Sequence, residues 1–194
     1  MAVFSKQSLI TELLDRIELT KASTQPFLRL TDDQLNFKPG PAKWSITQIF
    51  SHLNITHDIY IRRILTRITL APDVKEEQFN SGWLGDWIYD KIMPRADGSV
   101  FKLRAPKSHC PGDDEQDGKE VLQLFLQQCD AFDDILRHVA TKDLQHIKIP
   151  FSFTRLLQLR LGDNLRYLVA HNERHLLQAH RVMTILPREP AFTS

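Results

Sequence analysis

The sequence is short of the features that build disulfide scaffolds, phosphate loops and membrane spans. It holds two cysteines, Cys110 and Cys129, in 194 residues. Two thiols cannot make a disulfide framework, and so low a count fits a reducing compartment. Seven glycines are present, and none belongs to a glycine-rich phosphate-binding motif. No stretch approaches the roughly 18 consecutive apolar residues that cross a bilayer. Residues 1–10 contain no long apolar signal-like run. An excess of one charge is also missing: 25 Lys and Arg against 24 Asp and Glu give a formal net charge of +1. That balance produces no field steering the chain toward nucleic acid or an anionic membrane. The expectation is a cytoplasmic protein with no nucleic-acid and no membrane partner.

What is present is ordinary globular composition, 42% hydrophobic and 25% charged. A chain of this length fits one domain over residues 1–194 and buries a core without disulfides. Four segments carry apolar residues at helical spacing. The first runs from about Ser5 to Gln25, with Ile10, Leu13, Leu14 and Ile17 on one side and Pro26 as its stop. The second opens on Ser45-Ile46-Thr47-Gln48, a capping-box pattern, with Trp44 and Ile49 at hydrophobic-staple positions. It fades near Leu70. The third runs from about Lys119 to Ala140 through Leu122, Phe125, Cys129, Phe132 and Leu136. The fourth runs from about Asp163 to Leu186, ahead of Pro187.

Nearly fifty residues, 71–118, separate the second and third helices. So long a connection reads as a crossover or a functional lid. Ser81–Met93 is expected to add a short helix, and Val100–Leu103 a short extended piece. The predicted architecture is all-α: a four-helix bundle with one long crossover between helices two and three.

Eight histidines occur. His171 and His175 lie four apart in a strong helix, so they project from one face about a turn apart and could grip one metal ion. Such a pair also arises by chance, and packed histidines are the plainer explanation. The run His171-Asn172-Glu173-Arg174-His175 is not the zincin motif, because Glu173 follows His171 by two positions rather than one. A third ligand must come from another helix. His52 and His57, both on helix two, are the candidates, and spacing does not choose between them. Gln178, three residues beyond His175, could hydrogen-bond a ligand.

Two blocks resemble a known family. In Leu30–Leu53, Trp44-Ser45 opens a helix and His52-Leu53 follows two turns later. In Leu165–Arg181, His171, His175 and Gln178 fall at the same mutual spacing as in the family. These positions resemble the DinB-like, or YfiT-like, metal-binding four-helix bundles (the DinB superfamily). A looser likeness covers Phe101–Pro111. The resemblance implies an up-up-down-down bundle, a three-histidine site for one divalent metal with His52 as the third ligand, and a homodimer. It also implies either transfer to a low-molecular-weight thiol, as a thiol S-transferase, or metal-dependent hydrolysis of a small-molecule substrate. One departure is the start of helix four, where Leu159–Asp163 lacks the Ser or Thr cap of relatives.

Three neutral nitrogens with one open position suit a catalytic ion, with zinc the default and nickel, iron or manganese allowed by the ligand type. Such an ion lowers the pKa of water or of a thiol. A hydrolase also needs a general base, and helix geometry points Glu173 away, leaving Asp58 and His57 as weak candidates. The alternative is a non-catalytic helical binding or stress-response module whose histidines only pack. Among other residues, His109-Cys110 invites a nucleophile reading, although chain neighbours rarely have the required geometry. Cys129 belongs to the apolar stripe. The acidic run Asp113–Asp117 lacks calcium-loop spacing. Arg62, Arg63 and Arg67 suit a helix C-terminus. Trp83 and Trp87 are expected to pack the crossover onto the bundle.

Overall fold

Side-chain caps set where the long helices begin. In the computed structural model, which describes residues 2–95, 98–101, 105–152 and 157–187, Ser45 and Gln48 form the expected capping box at 3.1 and 3.2 Å. They open a helix at Ile46. The Asp117 carboxylate accepts from the Lys119 and Glu120 amides at 2.9 and 3.0 Å. That places an acidic-run residue at a helix start, where its charge also suits the dipole. The helices are α1 (Lys6–Thr24), α2 (Asp32–Asn36), α3 (Ile46–Ile68), α4 (Trp83–Ile92), α5 (Gly118–His138) and α6 (Leu161–Met183). Strands β1 (Val3–Ser5) and β2 (Gln78–Asn80) pair antiparallel, as do β3 (Lys148–Pro150) and β4 (Gln158–Arg160).

Helix α6 begins two residues before the expected Asp163 and has no side-chain cap at Arg160. Its first amides are satisfied from elsewhere: Leu161 and Gly162 donate to the Ile147 and Leu144 carbonyls at 2.9 and 3.0 Å. Such a start leaves no local sequence mark. Helix α2 carries a second capping box, Thr31 with Gln34, a local pattern that the sequence also contains.

Helices α1, α3, α5 and α6 form a four-helix bundle. Phe27, Phe50 and Phe125 stack edge to face in its core, with centroids 5.4 and 5.0 Å apart, among fully buried Leu13, Ile17, Leu53 and Leu165. Cross-helix pairs fix the directions. Arg16 meets Glu173 and Phe27 meets His180, so α1 and α6 run parallel. His52 meets His171 and Tyr60 meets Tyr167, so α3 and α6 run antiparallel. Phe50 meets Phe125 and His57 meets Phe132, so α3 and α5 run parallel. The order is therefore up-down-down-up, a correction to the expected up-up-down-down. Parallel α3 and α5 cannot be joined by a tight turn. The chain accordingly returns along the bundle between Ile68 and Gly118.

Helix α4, inside that return, packs on α6. Asp86 pairs with Arg166 at 2.8 Å. The Arg166 guanidinium stands over the Tyr89 and Phe4 rings at 4.4 and 4.6 Å. Asp163 accepts from the Gly82 amide at 2.9 Å. The tryptophans do not do this packing: Trp83 and Trp87 are 72% and 55% exposed. The buried residues of α4 are Gly85, Ile88 and Ile92. That face lies away from positions 83 and 87 on a 3.6-residue helix. The extended piece expected at 100–103 runs into residues 102–104, which lie outside the described residues.

Candidate metal centre

The antiparallel crossing of α3 and α6 brings His52, His171 and His175 together. One ring nitrogen from each lies within 4.8 Å of the other two, and all three residues are buried. His52 Nε2 and His171 Nε2 are 3.3 Å apart. Ligand nitrogens bound tetrahedrally at 2.0–2.1 Å stand about 3.3–3.4 Å apart, so this pair already has the spacing of two zinc ligands.

The outer nitrogens are oriented. His52 Nδ1 is 2.7 Å from the His109 carbonyl. A carbonyl only accepts, so Nδ1 carries the proton and Nε2 keeps its lone pair for the centre of the cluster. His175 Nδ1 donates to Gln178 Oε1 at 3.0 Å in the same way. His171 Nδ1 is buried with no hydrogen-bond partner among the described residues. The three rings form a nearly equilateral triangle, with centroids 5.1 Å (His52–His171), 4.5 Å (His171–His175) and 4.7 Å (His52–His175) apart. Burial lowers the His52 pKa to about 4. Burial, reinforced by the neighbouring basic groups, pushes His171 and His175 well below the ordinary histidine value. All three are neutral near pH 7, the form that binds a metal.

His57 is elsewhere. Five residues from His52 is about 140° around the helix. Its ring faces α5, 5.5 Å from Phe125 and 6.2 Å from Phe132. Its Nε2 bonds Asn172 Oδ1 at 2.8 Å, and burial lowers its pKa to about 4. Asp58 forms an exposed ion pair with Arg62. Glu173 clamps Arg16 at 2.6 and 2.8 Å through both carboxylate oxygens. Neither carboxylate reaches the cluster. His109 Nδ1 contacts Ser108 Oγ at 3.1 Å, while the Cys110 thiol contacts the Ala105 and Pro106 carbonyls. The two residues do not form a base–nucleophile pair. Cys129 is core, and burial raises its pKa to about 12.

A cavity of about 470 Å³ opens on the three histidines. Trp44 forms one wall, its ring 5.0 Å from His52, and Tyr167, Arg174, His109 and Gln178 also line it. Sequence reasoning missed Tyr167, Arg174 and the His109 carbonyl. The first two stand at the helical spacing of His171 and His175, so the face of α6 could have yielded them. The carbonyl has no sequence signal.

Fold and site together define a helical bundle with a buried three-histidine cluster at the floor of a pocket. The model of the DinB superfamily matches residues 16–179, and the chain belongs to that superfamily. Among solved structures it is similar to YfiT from Bacillus subtilis, described as a probable metal-dependent hydrolase with an unusual four-helix bundle topology. The TM-score is 0.57 at 17% identity, covering 90% of this chain and 86% of that one. At that identity the likeness concerns the fold. No curated protein matches the sequence significantly. Among the described residues, no helix is long and apolar enough to cross a membrane.

Proposed function

We propose that this protein is a metal-dependent enzyme acting on a small molecule, with His52, His171 and His175 holding one divalent ion. The observation that carries the reading is the cluster itself. Three neutral imidazoles converge, two of their Nε2 atoms are 3.3 Å apart, and two outer nitrogens are anchored by His109 and Gln178. A divalent ion held by three neutral nitrogens supplies Lewis acidity that makes a water or a thiol acidic near neutral pH. Zinc suits the ligand set best, and nickel, iron and manganese accept the same donors.

The chain's own groups bind and orient. Trp44 and Tyr167 wall the cavity, and the His52 and His175 rings are held in one tautomer. No Asp or Glu is among the described residues lining the cavity, so no carboxylate base stands beside the histidines. That favours thiol transfer over hydrolysis, because a thiol ionises close to neutral pH with less help from a base. A homodimer belongs to the same proposal.

The test is elemental analysis of protein purified without a nickel column, for wild type and His175→Ala in parallel. About one metal per chain in wild type, absent from the folded variant, is expected. No metal in either after zinc addition overturns the enzyme reading in favour of a non-catalytic binding module.

A further inference from the structure

The cavity beside the histidines contains buried positive charge with no counter-charge among the described residues. Arg174 is 9% exposed. Its hydrogen-bond partners among the described residues are the Ile92 carbonyl at 3.5 Å and the Phe101 carbonyl, both neutral. Two contacts use two of the five N–H donors of a guanidinium and leave three. Two other arginines packed between elements have acids: Arg16 has Glu173 and Arg166 has Asp86, whereas half-buried Arg63 meets the Pro150 carbonyl. Arg174 has none among the described residues. Burial pulls its pKa below the ordinary arginine value, and the opposing influence is the Tyr167 phenol rather than a carboxylate.

Arg181 lies seven residues on, two turns along the same side of α6, and also lines the cavity. The lining therefore has two guanidiniums, four imidazoles and no carboxylate among the described residues. Desolvating an arginine without an anion is costly, and a divalent ion on neutral ligands adds positive charge at the same place. A guanidinium with free N–H groups is shaped to take two oxygens of one carboxylate or phosphate.

We propose that the cavity takes a small molecule bearing an oxyanion, a carboxylate or a phosphate, and that the Arg174 guanidinium holds this group beside the three histidines. The inference deepens the functional reading by naming the substrate class. It depends on that reading only for the chemistry done next to the anion. Arg174 is a binding residue, and its contacts to the Ile92 and Phe101 carbonyls aim its head group.

The experiment is calorimetric titration of the full chain with succinate and, separately, with inorganic phosphate. Wild type, Arg174→Gln and Arg174→Lys are compared, each as purified and after metal stripping, with metal content measured on the same samples. Wild type is expected to bind at least one probe. Arg174→Gln should weaken it about tenfold or more, as loss of a charge-assisted contact does. Arg174→Lys keeps the charge and loses the fork, so it should fall between, and it decides the matter if the Gln variant does not fold. The tighter probe distinguishes a carboxylate from a phosphate ligand. Absence of binding to wild type, or affinity equal in wild type and the folded variants, overturns the proposal. Arg174-dependent binding in samples that never hold metal would leave this inference standing while the metal reading falls.

Discussion

His52 Nδ1 and the His109 carbonyl, 57 residues apart in the chain, are 2.7 Å apart in space. The crossover thereby sets the tautomer of a candidate ligand on α3. Gln178 does the same for His175 from one turn along its own helix. Of the two anchors, only Gln178 is a side chain that mutation can remove.

Gln178→Ala should weaken metal binding about 10–100-fold, the usual cost of losing the partner of a ligating histidine. Competition with a chromophoric chelator measures this. The circular dichroism spectrum should not change. Unaltered affinity would leave Gln178 without an orienting role.

Acid should destabilise the metal-free protein. His52 and His57 have folded-state pKa values lowered from 6.5 to about 4. Above pH 6.5 both are neutral folded and unfolded, and contribute no pH dependence. Between pH 6.5 and 4 the unfolded chain takes up protons that the fold refuses, so stability falls with pH. The loss is about 1.4 kcal/mol per pH unit for each histidine. Urea midpoints from pH 7 to 4.5 give the slope, and His57→Leu should make it shallower.

Gly85→Ala should destabilise the protein although alanine is the better helix former. A Cβ at Gly85 would stand 2.1–2.5 Å from side-chain atoms of Asp163. Asp163 is buried, accepts from the Gly82 amide and lies beside Arg166, so it cannot simply swing away. Overpacking costs about 1–3 kcal/mol against a propensity gain of about 1 kcal/mol. A lower melting temperature in calorimetry is expected, and an unchanged or higher one would mean that α4 yields.

Glu173→Gln should leave metal content unchanged and lower stability by about 1–2 kcal/mol. Glu173 sits between two candidate ligands in the sequence, but both its oxygens are engaged by Arg16 of α1. Chemical denaturation and elemental analysis of one preparation separate the two effects. Loss of metal would show that the carboxylate reaches the site.

The sequence by itself determined the four long helices and the candidate ligands, because periodicity, capping and i,i+4 spacing are local properties. Ser45 and Gln48 announced α3, and His171 and His175 announced a shared face of α6. Spacing leaves His52 and His57 open and the family resemblance favours His52; the tertiary structure brings His52 beside His171 and His175 and turns His57 toward Phe125 and Phe132. It alone set the helix directions, placed the crossover's tryptophans outward and started α6 on amides satisfied from residues 144 and 147. It alone left Arg174 buried without an acid among the described residues. Each of these depends on which surfaces meet across the chain, and no local pattern encodes a partner from fourteen to more than a hundred residues away.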